Sequence, residues 1–337
     1  MRVNLIILGF IFVMAACTKD PDFVANKSSY EKIKSWTKVS YTRNSAASFY
    51  ERDNAVVVPV GSNAYIVGGN NVPSFLSHTW KFEPSSKTLS VLGLNNDLPE
   101  LLKGAIGFSI DNYICFGTGI GSVGFTNSLY VKNTQSNASS STWSPIQTVF
   151  GNSARFMGTA RSNAVSFTIG KNVYVGLGVG ASGYLKDFYC FNTDLKSWKK
   201  VADFTGSGRQ DAVSFVINNK AYVGTGYNNG YLKDFYEYNP ISDSWRKIAD
   251  LPDLGRDDAV GFSLSSRGYV GLGWNDTKGV LSDFWQYNPF SNKWIVNTDI
   301  GVLGRFGANA WVINNEPYIG FGSTGTSVLD EIWQANK

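Results

Sequence analysis

Internal repetition constrains this chain more than any other feature. Gly208–Trp245 reads as one unit: GRQDAVSFVINNKAYVGTG, a short loop, then DFYEYNPISDSW. The next segment answers it with GRDDAVGFSLSSRGYVGLG and DFWQYNPFSNKW, and the preceding one with ARSNAVSF, YVGLG, LKDFYCFN and Ser197-Trp198. Self-similarity at about 50 residues marks a repeat architecture, in which each unit buries its apolar face on its neighbours.

Each unit contributes four short runs. The first is Ala-Val-x-Phe-like, as in Ala212–Ile217; the second ends in glycine, as in Tyr222–Gly226. The third is aromatic with period two, as in Phe235–Tyr238, and the fourth centres on Trp143, Trp198, Trp245 or Trp294. Runs of this length between Asn, Gly, Pro and Ser read as strands joined by hairpins. A composition with 35 glycines and 15% aromatic residues agrees. The sixth unit reaches Lys337 after its third run, and Ser35-Trp36-Thr37-Lys38-Val39 matches the fourth. The chain therefore predicts an all-β, six-bladed β-propeller of four antiparallel strands per blade, closed by an N-terminal strand that completes the last blade. The Ser- and Asn-rich insertion at Asn133–Thr142 is expected to form a hairpin in the second unit.

Residues 1–17 read as a processing segment. Leu5–Val13 is apolar but too short to span a bilayer, and Met14-Ala15-Ala16 places small residues directly before Cys17. This resembles a bacterial lipoprotein signal, which implies that Cys17 becomes the lipidated first residue. An ordinary secretory signal is the alternative. The run after Cys17 resembles the export signal of surface lipoproteins in Bacteroidetes. Residues 18–32 would be a tether and 33–337 the propeller. The expected location is the outer membrane, facing the periplasm or the cell surface, with membrane contact through the lipid anchor only. Cys115 and Cys190 are expected to be buried free thiols. The net charge of +4, without a Lys/Arg block, argues against nucleic acid.

The Arg before the first strand, the glycines ending the second, the Asp-Phe-Tyr-x-Tyr-Asn third strand and the Trp of the fourth together resemble a Kelch-repeat propeller, galactose-oxidase-central-domain-like in type. Residues 33–337 carry the resemblance. One detail departs: adjacent glycines occur only at Gly68-Gly69, and the other units show Gly-x-Gly. Kelch propellers include enzymes and many binding scaffolds, so the fold leaves function open.

Candidate functional residues fall on one face of the ring. Arg52, Arg161, Arg209, Arg256 and Arg305 recur before the first strand, with Leu102 replacing the arginine in the second unit. They either hold an anionic ligand or tie strands together through Asp187, Asp234 and Asp283. The loops between the second and third strands vary: Tyr184; Tyr227, Asn228, Asn229 and Tyr231; Trp274, Asn275 and Asp276. Aromatic and amide side chains suit a sugar, although Asn is also a turn residue. His78 is the only histidine, which argues against copper chemistry needing two histidines, against a His/Cys zinc site and against a Ser-His-Asp triad. No metal and no cofactor is expected. Asp53, Asp211, Asp234, Asp257 and Asp258 near the same face leave carboxylate chemistry open. The leading expectation is a binding or interaction module for glycans or a protein partner. The alternative is a sugar-active enzyme resembling sialic acid mutarotases, with the arginines holding the sugar carboxylate.

Overall fold

The computed structural model describes residues 32–43, 50–71, 74–92, 98–135, 142–297 and 301–337. The signal segment, Cys17, the tether up to residue 31 and the centre of the second-unit insertion lie outside them. Strands dominate the described residues. The exceptions are a one-turn α-helix, Ile146–Phe150, and a 3-10 turn, Asn152–Ala154, between the second and third units.

Six sheets follow one another as blades, each with the meander order of its four strands. Blade 4 is representative: Val213–Ile217, Lys220–Gly224, Phe235–Asn239 and Ser244–Lys247, paired antiparallel throughout. Blade 6 combines Asn309–Ile313, Glu316–Gly320 and Ile332–Asn336 with the N-terminal strand Ser35–Lys38, in the register Trp36↔Ala335 and Lys38↔Trp333. The expected closure is therefore the observed one. Blade 1 carries an addition that the repeat pattern does not contain: Thr42–Arg43 lies parallel to Thr88–Leu89 on its outer edge. In blade 2 the fourth strand is only Ser144–Pro145, immediately after buried Trp143.

Hairpin chemistry explains the first turns of blades 4 and 6. Asn218-Asn219 and Asn314-Asn315 both adopt positive φ, the conformation that matches strand twist and that asparagine tolerates. The third-to-fourth turns use asparagine differently: Asn239 and Asn288 each accept a backbone N–H two residues on, from Ile241 and Phe290.

Among the described residues, six apolar clusters lie one between each pair of neighbouring blades. The fourth-strand tryptophans reach across these interfaces. Trp245 donates to the Ala202 carbonyl at 3.1 Å and Trp294 to the Ala249 carbonyl at 2.9 Å. Ala202 and Ala249 also donate their own N–H groups to Asp243 and Asn292, so each residue is gripped on both sides by the following blade. Trp36 packs on Phe262 and Phe284 of blade 5, which fits its place as the fourth strand of blade 6. Cys115 and Cys190 are free and buried.

Candidate functional site

Each blade enters its first strand through the same four-residue step: Arg (Leu102 in blade 2), a variable residue, a residue at positive φ, then Ala. The positive-φ residues are Asn54, Gly104, Asn163, Asp211, Asp258 and Gly307, with φ between 47° and 64°. Asn, Asp and Gly are the residue types that adopt this conformation at least cost. They form an inner belt around the channel. Asn54 N–H donates to the Gly307 carbonyl and Gly307 to Asp258; Asp211 donates to Asn163 and Asn163 to Gly104. Neighbouring blades are thus tied to one another through the belt, and the Asn163 amide also donates to the Asp211 carboxylate of the next blade. The Asn, Asp or Gly before every Ala is the sequence signal of this ring.

The variable residue of the step pairs with the loop between strands two and three. The bridges are Asp53↔Asn70, Lys103↔Ile120, Ser162↔Val179, Gln210↔Tyr227, Asp257↔Trp274 and Phe306↔Ser323. Each loop is thereby held beside the channel mouth. The mouth is a cavity of about 410 Å³ lined by Asp53, Asn70, Phe75, Lys103, Asp211, Asp257, Asp258 and Phe306, among others.

The five arginines do not face this cavity. Arg161, Arg209, Arg256 and Arg305 are 0% exposed and Arg52 is 1% exposed. Arg209 donates to both oxygens of Asp234, at 2.6 and 2.9 Å, and to the carbonyls of Thr225 and Ser207. Arg161 forks onto Asp187 and Arg256 onto Asp283 in the same manner, and Arg305 reaches Glu331. The arginine backbone is used too: the Gly226 N–H donates to the Arg256 carbonyl of the next blade, and the Gly322 N–H to that of Arg52. A guanidinium with no exposed surface offers none to a ligand, so the arginine ring belongs to the blade framework and not to the binding face. Burial opposes ionisation of Asp187, Asp234 and Asp283, but the bonds and charge of their arginines more than offset it and hold all three below the usual carboxylate range. Burial lowers Arg52 to about 9. His78 holds the corresponding acid position of blade 1.

The loop aromatics are brought together. Ring centroids lie 6.4 Å apart for Tyr184 and Tyr227, 5.2 Å for Tyr227 and Tyr231, and 5.5 Å for Trp274 and Phe306. Tyr231 of blade 4 and Trp274 of blade 5 are linked because both donate to one oxygen of Asp276, at 2.7 and 3.1 Å. An aromatic arc therefore runs over blades 3 to 6. The amides have another task. Asn228 and Asn275 each donate to a backbone carbonyl twenty residues earlier, Gly208 and Gly255, and Asn275 is 6% exposed. Both brace their loops, so the amide half of the sugar-binding expectation does not hold at these positions; carboxylates stand in the cavity instead.

These carboxylates are unlike those inside the blades. Burial, then the charge of Asp258, raises Asp257 to about 7. Burial, then Asp53, raises Asp258 to about 6, with Lys103 opposing. Burial raises Asp53, and burial with the charges of Asp258 and Asp257 drives Asp211 well above its ordinary value. Asp211 has both oxygens occupied, by the side-chain amides of Asn163 and Gln210. One oxygen each of Asp53 and Asp257 is buried with no hydrogen-bond partner. The mouth can accept hydrogen bonds, attract positive charge and exchange protons near neutral pH. Among the described residues no group of His, Cys, Asp and Glu is arranged to hold a metal ion.

The KLHDC2/KLHL20/DRC7 Kelch-repeats domain family matches residues 54–253, more than half of the chain and the whole of blades 1 to 4. The chain belongs to this Kelch-repeat family. No curated protein matches it. Kelch propellers are generally interaction modules and commonly bind protein partners. The departure from paired Kelch glycines has a steric origin. The second glycine is required in every blade: at Gly226, φ +92°, an added Cβ would lie 2.4 Å from the Gln210 carbonyl oxygen. The residue before it, Thr118, Leu177, Thr225, Leu272 or Phe321, sits at positive φ, and outside blade 2 an arginine donates to its carbonyl. In blades 3 to 5 the first glycine of Gly-x-Gly faces a phenylalanine across the strand: an added Cβ at Gly224 would lie 2.4 Å from Phe235. Blade 1 has Val67 there, opposite the smaller Thr79.

Proposed function

We propose that this Kelch propeller is a lipid-anchored, extracytoplasmic binding module whose channel mouth recognises a glycan. The observation that carries the reading is the aromatic arc of blades 3 to 6 standing beside a polar, carboxylate-lined cavity. Ring faces of Trp274 and Phe306 would stack on sugar C–H groups, and the carboxylates would accept hydrogen bonds from hydroxyls. The cavity volume of about 410 Å³ lies in the range of small-ligand sites. A mouth built from variable positions on a repeated framework is where specificity belongs.

The mutarotase-like alternative loses its anion clamp, because the arginines are buried and the mouth presents aspartates. Carboxylates raised to about 6 and 7 keep proton transfer chemically available there, without a placed substrate to direct it.

A glycan array tests the reading. The wild-type propeller retains a defined set of glycans, and Trp274→Ala weakens that retention at least about tenfold while the unfolding midpoint is kept. Retention of no glycan by the wild type overturns it, and capture by a protein surface in its place restores the family's commoner role. The anchor is supported by the small residues before Cys17. Palmitate label should enter the wild-type chain and be lost in Cys17→Ala; equal labelling of both sinks the anchor.

A further inference from the structure

We propose that the channel mouth receives a protonated amine carried on a sugar-ring-sized ligand, as in a 2-amino-2-deoxy hexose. This rests on the glycan reading and specifies the ligand class of the same site.

Four carboxylates, Asp53, Asp211, Asp257 and Asp258, meet at the mouth, and the basic residue that lines it is exposed Lys103. The framework arginines cannot neutralise them, because their guanidinium groups point into the blades and are bonded there. Acidic residues alone would not define a ligand. Two further observations do. Asp53 is 7% exposed, and although Asn70 and Asn54 hydrogen-bond its carboxyl, its Oδ1, like Oδ1 of Asp257, is buried without a hydrogen-bond partner. Burying an acceptor unpaired costs about 1–3 kcal/mol, so the site is set to gain from a donor. An ammonium group has three N–H donors and no acceptor, which complements two unpaired carboxylate oxygens better than a hydroxyl does. Aromatic rings flank the same space: Phe75, 46% exposed, and Phe306 line the cavity, and Trp274 packs edge-on against Phe306. Ring faces attract a cation as well as sugar C–H groups. Asp211, whose oxygens are occupied by Asn163 and Gln210, contributes charge rather than a contact.

The raised acids give the binding a pH signature. A cation at the mouth favours their ionised forms, so it must displace the protons they hold at mildly acidic pH. The groups facing it are Asp53, Lys103, Asp211, Asp257 and Asp258, with Asp276 on the adjoining loop.

Calorimetry on the full chain, with the β-1,4-linked glucosamine trisaccharide against its fully N-acetylated counterpart, decides the matter. The free-amine trisaccharide should bind at least about tenfold more tightly near neutral pH, with the advantage shrinking at higher salt and at about pH 5. Asp53→Asn and Asp257→Asn should each reduce the advantage, and both together should abolish it. Equal affinity for the two trisaccharides overturns the amine inference and leaves the glycan reading intact. Binding of neither overturns it as well, and the array then reports separately whether any glycan is bound. Tighter binding of Nα-acetyl-lysine methylamide than of either sugar also overturns it, in favour of a protein side chain. Wild-type selectivity alone settles the comparison if a variant fails to fold.

Discussion

Asp234 and Asp257 occupy the same face of the ring, yet their carboxyls behave in opposite ways. Asp234 is held below the usual carboxylate range, because the fork from Arg209 and the bond from Tyr236 outweigh the burial that would raise it. Asp257 is raised to about 7 by burial and by Asp258. Sequence proximity does not explain this. Asp257 directly follows Arg256, but that guanidinium turns inward to Asp283 and the Leu272 carbonyl. An acid written into the repeat comes with its cation. An acid at the variable position, occupied by Asp53, Lys103, Ser162, Gln210, Asp257 and Phe306 in turn, does not. The repeated pairs hold the blades, and the unrepeated ones are left to meet a ligand.

The largest expected effect falls on the repeated side. Arg209→Met leaves Asp234 without its fork and strands the Thr225 and Ser207 carbonyls. Removing one partner of such a buried pair costs about 3–5 kcal/mol. Urea unfolding at neutral pH measures it, and a loss below about 1 kcal/mol would dissolve the distinction between framework and mouth. The pH dependence has a definite sign. The depressed acids, with Glu331 as low as about 2, contribute stability that is complete above the ordinary carboxylate range. It is lost as pH falls through their folded-state values.

Most of the framework is legible from the repeat itself. The four runs per unit, the orphan strand around Trp36 and the interblade tryptophans follow from periodicity, because each is repeated and each has a packing reason. The arginines show where periodicity stops being sufficient: their recurrence left two roles open, and only the direction of the guanidinium groups separates them. The mouth was harder to read. Asp211 and Asp258 have their pKa values raised by burial and then by carboxylates in other blades, and Asn163, 48 positions before Asp211, is one of the two amides that bond it. Asn228 and Asn275 are ambiguous in sequence, since a turn brace and a ligand contact use the same side chain. The outer strand Thr42–Arg43 and the helix Ile146–Phe150 carry no repeat signal and could not be read from one.

The smaller effect lies at the mouth and has the opposite sign. Because Asp257 has a folded-state pKa above its unfolded value, its stabilising contribution is present in acid. It is lost as pH rises from the ordinary carboxylate range through about 7. Asn is a close mimic of the protonated acid and removes that dependence. Asp257→Asn should therefore match the wild type near pH 4. Near pH 8 it should exceed the wild type by about 2–4 °C in unfolding midpoint, the shift that about 1 kcal/mol gives a domain of a few hundred residues. The groups that set this balance are Asp53, Asp211, Asp258, Asp276 and, opposing them, Lys103. A variant less stable than the wild type near pH 8 would mean that Asp257 is paired when ionised, as Asp234 is, and would erase the contrast between the two acids. A stabilised variant that also loses its ligand would show a position kept for binding at the expense of the fold, the trade expected where function sits on a repeated scaffold.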